Sequence, residues 1–153
     1  MNKHLLIVYH SKDGKTGRMA EAVNFGATDQ DLVIECRFKM ARESVSEDLL
    51  WSDGIIFGTP ENFGYMSGGL KDFFDRTFYE LEGLVEGKPY CIFVGAGNDG
   101  TGAVNSIRRI CNGYNFREVL DPVLIIGELC NEGISQCQEL GMAMAAGIEA
   151  GIF

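Results

Sequence analysis

The sequence predicts a three-layer α/β/α domain built on a five-stranded parallel sheet of order 2-1-3-4-5. Three observations predict it. Leu5–Tyr9, Gly54–Phe57 and Tyr90–Val94 are continuous apolar runs that end at Gly, Ser or Thr, as strands buried on both faces do. Two further runs look like edges. Amphipathic helical patterns separate all five.

The elements follow in order. Leu5–Tyr9 is the first strand, and Met19, Ala22, Val23 and Gly26 give Thr16–Ala27 one apolar helical face. Leu32–Phe38 alternates, with Leu32, Ile34, Cys36 and Phe38 opposite Glu35 and Arg37, the pattern of a half-exposed edge strand. Ser44-Val45-Ser46-Glu47 reads as a capping box before a short helix through Leu50. Gly54–Phe57 is the third strand. Leu70, Phe73, Phe74, Thr77, Phe78 and Leu81 then keep the i, i+3, i+4, i+7 spacing. Tyr90–Val94 is the fourth strand, followed by a weaker helical stripe of Val104, Ile107 and Cys111. Val119–Ile126 contains Pro122, which cannot donate to a ladder and therefore favours an edge. Cys137, Leu140, Gly141, Met144 and Ile148 mark the last helix. Right-handed crossovers between five such units give a parallel sheet covered on both faces. Edges at the second and fifth strands select the order 2-1-3-4-5, with ligands expected beyond the carboxyl ends of strands one and three.

The 153 residues, 46% hydrophobic, fit a single domain over 1–153. A formal charge of −9 argues against unaided nucleic-acid binding and against docking on anionic membranes. Leu5–Tyr9 is too short for a signal or membrane segment, and the GxxxG spacing of Gly147 to Gly151 lies in no apolar 20-mer. Five cysteines, an odd number, are spaced in no CxxC or paired metal pattern; they read as reduced thiols of a cytoplasmic protein.

Three loops carry the chemistry. Ser11-Lys12-Asp13-Gly14-Lys15-Thr16-Gly17 joins the first strand to the first helix. Successive backbone N–H groups there, with a helix N-terminus and the Ser11 and Thr16 hydroxyls, suit a phosphate. Gly14-Lys15-Thr16 resembles the end of a Walker A loop, but the glycine required five residues earlier is Tyr9. Gly58-Thr59-Pro60-Glu61-Asn62-Phe63-Gly64-Tyr65-Met66-Ser67-Gly68 leaves the third strand at the same sheet edge. Its glycines, aromatics and amides suit a phosphorylated aromatic ring. Gly95-Ala96-Gly97-Asn98-Asp99-Gly100-Thr101-Gly102 matches GxGxxG, yet it follows the fourth strand. Glu118 and Asp121 precede the next apolar run rather than end it, so the loop reads as a wall of the same site. No acid–base or nucleophile set stands out, and no residue is assigned as catalytic. His10 ends the first strand beside the phosphate loop, and Trp51 reads as a core residue rather than a stacking one.

These loops resemble those of the flavodoxin superfamily over nearly the whole chain. Leu5–Ser11 with Gly14 and Thr16 is similar to its FMN phosphate loop. Gly58–Gly68 followed by Leu70-Lys71-Asp72-Phe73-Phe74-Asp75-Arg76 is similar to a stretch of NAD(P)H-dependent FMN and quinone reductases. Gly95–Gly102 resembles the third loop of a bacterial subgroup of flavodoxin family proteins. The resemblance implies FMN, with NAD(P)H as co-substrate. It implies phosphate contacts from Ser11, Lys12, Asp13, Gly14, Lys15 and Thr16, and isoalloxazine contacts from Thr59, Pro60, Glu61, Asn62, Phe63, Gly64, Ala96, Gly97 and Asn98. The expected function is an NAD(P)H-dependent oxidoreductase passing electrons to a quinone or similar small acceptor. The alternative is an electron-transfer flavodoxin that serves a redox partner protein. Carrier flavodoxins typically sandwich the ring between aromatics of loops two and three, and here loop three has none. A homo-oligomer is compatible with the sequence.

Overall fold

The computed structural model describes residues 2–12 and 14–153. Strands β1 (Lys3–Tyr9), β2 (Ile34–Met40), β3 (Gly54–Asn62) and β5 (Pro89–Ala96) are the principal strands. Shorter strands are β4 (Tyr65–Met66), β6 (Arg117–Glu118) and β7 (Val123–Ile126). The helices are α1 (Lys15–Ala27), α2 (Ser46–Trp51), α3 (Gly68–Leu81), α4 (Thr101–Tyr114) and α5 (Asn131–Glu149).

The sheet runs β2-β1-β3-β5-β6, with β7 also on β5 and β4 folded back on β3. All pairings are parallel except β3 with β4. The expected order 2-1-3-4-5 is present, with two differences. Of the expected last strand, Val119–Ile126, only Val123–Ile126 forms a strand (β7), while the short β6 precedes the expected run at Arg117–Glu118; both lie along β5. Pro122 stands between β6 and β7, where the missing N–H costs no ladder bond. The second difference is β4, which turns part of the expected second loop into a hairpin.

Alternation along the central strands divides the core in two. Leu6, Val8, Ile55, Phe57, Ile92 and Val94 face α3 and α4, where Phe73, Phe74, Ile107 and Tyr114 complete one cluster. Leu5, Ile7, Ile56, Cys91 and Phe93 face α1 and α5, against Met19, Val23, Leu140 and Met144. Unbroken apolar sequence is thus required wherever helices cover both faces of a strand. The β2 edge begins at Ile34 rather than Leu32 and runs on to Met40.

The expected capping box shifts by one residue. Helix α2 starts at Ser46, and buried Asp48 accepts from the Val45 N–H (2.9 Å). Arg37 and Lys39 also donate to Asp48 (2.9 and 2.7 Å). Burial alone pushes the Asp48 carboxyl up, but the bonds from Lys39, the Val45 N–H and Arg37 outweigh it and hold it below its ordinary range. Trp51 lies near the amino end of the sheet, stacked on His4 with Arg37 over its ring, far from the loops that carry the site. Among the described residues no helix is long and apolar enough to cross a membrane, no metal-binding cluster occurs, and all five cysteines are free thiols.

Candidate functional site

The first loop leaves β1 at the carboxyl edge. His10 N–H donates to Gly58 O (3.1 Å), which carries the β1–β3 pairing one residue further. Gly14 takes φ +99° before α1 begins, a conformation that glycine adopts without strain. Gly14 supplies no side-chain cap, and Ser11 Oγ accepts from the Gly17 N–H instead (3.0 Å). The Ser11 hydrogen remains free to donate outward. Thr16 is buried, with its oxygen toward Gly95 of β5. Lys12 and Gly14 are exposed on the rim. Asp13 lies outside the described residues.

His10 lies on α3, where a Cβ on Gly69 would meet the imidazole at 2.6 Å. Burial, and then the Arg42 guanidinium, push its pKa below the usual imidazole range. His10 Nδ1 is the one buried side-chain N or O without a hydrogen-bond partner among the described residues.

The second loop is a rigid hairpin rather than an open loop. Asn62 pairs with Tyr65 across a two-residue turn, and Phe63 and Gly64 take φ 52° and 69°. Positive φ at both central positions is the type I′ pattern, which matches strand twist and favours Asn-Gly. A phenylalanine at the first position is unusual, and its side chain is fully exposed. Four contacts hold the hairpin. Glu61 Oε2 accepts from the Ala103 N–H (3.1 Å) and Ser106 Oγ from the Met66 N–H (3.0 Å). Thr59 Oγ1 accepts from the Ser67 N–H (2.9 Å). Gly102 of α4 lies directly against Gly64 O. Backbone strain of this kind persists where the surroundings over-determine it.

The third loop starts where β5 ends at Ala96. Gly97, Asn98 and Asp99 are exposed, and the Asp99 carboxylate caps α4 through Thr101 N–H and Oγ1 (3.0 and 2.8 Å). Those bonds hold its pKa down. Of the GxGxxG glycines, Gly95 leaves room for Lys15, Thr16 and Met19 and Gly100 takes φ +76° before α4, while Gly102, two residues beyond the motif, leaves room for the hairpin. Glu118 is engaged by Arg108 through two bonds (2.8 and 3.0 Å).

A cleft of about 250 Å³ lies between these loops, lined by Lys15, Thr16, Pro60, Glu61, Asn62, Gly95, Ala96, Gly97 and Gly127. Seven of these are among the expected site residues. Thr59 lies buried, and Ser11, Lys12, Gly14, Phe63, Gly64 and Asn98 stand outside the lining. Gly127 was not anticipated; its signal is a glycine directly after the last apolar run, Val123–Ile126. Its N–H donates to Ala96 O (2.9 Å), which adds a fourth segment to the site. A larger groove of about 620 Å³ runs between Leu120–Leu124 and α5. It lies off the carboxyl edge and holds neither a helix N-terminus nor a glycine-rich loop, so size alone does not mark it as the site.

The sequence profile of the NADPH-dependent FMN reductase family matches residues 10–129. A protein named flavodoxin from Aquifex aeolicus (strain VF5) is 39% identical over 115 residues, covering 73% of this chain and 62% of that protein. An NAD(P)H dehydrogenase (quinone) from Acidithiobacillus ferrooxidans is 34% identical over 110 residues, covering 59% of this chain and 55% of its own length. The chain thus spans about three fifths of these two relatives. A solved flavodoxin from the domain Archaea superposes with a TM-score of 0.81 at 22% identity, covering 95% of this chain and 98% of that one. The fold is flavodoxin-like.

Proposed function

We propose, from a chain that belongs to the NADPH-dependent FMN reductase family, that residues 1–153 form one FMN-binding domain that takes electrons from NAD(P)H and passes them to a small acceptor such as a quinone. One observation carries this reading: the start of α1, the β3–β4 hairpin and the loop after β5 converge on a single cleft at the carboxyl edge. That is where ligands bind in doubly wound sheets.

The donor set fits the cofactor. The first loop offers the Ser11 hydroxyl, backbone amides, Lys12 and the positive end of the α1 dipole to a phosphate. The cleft offers backbone and amide groups of Asn62, Ala96 and Gly97 to a polar flat ring, with Phe63 overhanging at the hairpin tip. FMN, when bound, supplies the electron-transfer chemistry, and the protein positions the ring and excludes competing reactions. No side chain is assigned as acid or base. Gly97 leaves open space, through which a nicotinamide or quinone ring would reach the site. A cytoplasmic location belongs to the same reading and is supported by five unpaired cysteines.

The test is anaerobic mixing of the FMN-loaded protein with NADPH and with NADH. Rapid loss of flavin absorbance, restored by an added quinone, is the expected result. A carrier flavodoxin serving a redox partner protein is the second reading. The net charge of −9 favours it, because acidic carriers dock on basic partners. Slow bleaching by both nicotinamides, with fast exchange with a reductase protein, selects the carrier.

A further inference from the structure

The Lys15 side chain leaves the loop that bears it. Its stem passes over Gly95, where a Cβ would lie 3.4 Å from Lys15 Cε and 3.2 Å from Thr16 Oγ1. Its ammonium then donates to Ala96 O (3.1 Å) and Ile125 O (3.0 Å). These carbonyls stand at the carboxyl ends of neighbouring strands β5 and β7. Ala96 O also accepts from Gly127 N–H. One side chain therefore joins the first loop to both segments that wall the far side of the cleft. Charge-assisted bonds from an ammonium are strong for their number.

We propose that Lys15 is a positioning residue, a strut that fixes the spacing between the phosphate loop and the ring-side wall. The proposal rests on the FMN reading above. A ligand that engages two half-sites gains from both only when they are held at the spacing it fits. Loosening the strut then weakens a ligand that spans the cleft and spares one that occupies a single half. FMN spans both halves; lumiflavin, the bare ring, fills one, and inorganic phosphate fills the other.

Lys15→Met keeps the aliphatic stem over Gly95 and removes the donors. Lys15→Gln is the second variant should the first not fold. Titration of the apoprotein is expected to show FMN affinity lowered about tenfold or more. Affinities for lumiflavin and for inorganic phosphate should change less than about twofold on the same scale. Amide exchange at Gly127 in the apoprotein should also quicken by about tenfold, since its acceptor loses the strut. Equal losses for FMN and either half-ligand would place Lys15 in direct contact with that half and overturn the proposal. Unchanged exchange at Gly127 would overturn it as well. Failure of the wild-type protein to bind FMN would instead sink the cofactor reading, leaving the exchange result to judge the strut.

Discussion

A Cβ on Gly102 would lie 2.1 Å from the carbonyl oxygen of Gly64, so the first turn of α4 and the tip of the β3–β4 hairpin touch backbone to backbone. Alanine at this helical position gains about 1 kcal/mol in propensity. Overpacking against a backbone costs about 1–3 kcal/mol. Here the carbonyl cannot swing away, because the Glu61–Ala103 and Ser106–Met66 bonds pin the hairpin to the same helix. Gly102→Ala should therefore lower stability by up to about 2 kcal/mol in urea unfolding, with the clash outweighing propensity. FMN affinity should fall with it.

Phe63 tests the trade between strain and function. Asparagine adopts positive φ far more readily than phenylalanine and is favoured at this turn position. Phe63→Asn should stabilise the apoprotein by about 1 kcal/mol in thermal unfolding, since the ring is fully exposed among the described residues. The same change should weaken FMN binding if the ring is held out for the flavin. A variant neither more stable nor weaker in binding would remove Phe63 from the account.

Ser11→Ala removes the acceptor of the Gly17 N–H and, in the proposed site, a donor to the phosphate. Loss of the cap should cost about 1 kcal/mol of stability. Loss of a bond to a charged group should weaken FMN by roughly tenfold, read by flavin fluorescence. Thr16→Ala should weaken FMN to a similar degree. Unchanged affinity in both variants would put the phosphate elsewhere.

Among the described residues Gly97 has no neighbour within 4 Å of its would-be Cβ, and it has no positive φ, so a large residue fits there without backbone strain. Gly97→Trp should keep the fold and the FMN and lower NAD(P)H–quinone turnover by roughly tenfold or more, a barrier change of about 1.4 kcal/mol, by filling the approach to the ring. Full turnover with FMN retained would contradict an open face at this loop.

The sheet was legible because buried parallel strands leave little freedom of composition: Leu5–Tyr9 and Tyr90–Val94 suit few other environments. Pro122 announced the edge but not the shortening of that strand to Val123–Ile126, nor the separate β6 before it on the same β5. The hairpin was hidden because Phe63-Gly64 lacks the usual Asn-Gly signal, and its turn is enforced by contacts with α4. The reach of Lys15 was illegible for a different reason. Its acceptors are backbone carbonyls of Ala96 and Ile125, a group that every residue carries, so no residue type marks the partner.

The most direct test of the central claim is titration of the apoprotein with FMN, followed by flavin fluorescence, with riboflavin and inorganic phosphate run beside it. The account predicts one FMN per chain, weaker binding of riboflavin, and competition by phosphate. No binding of FMN, or equal affinity for FMN and riboflavin with no effect of phosphate, would contradict a cofactor anchored by the loop at Ser11 to Thr16.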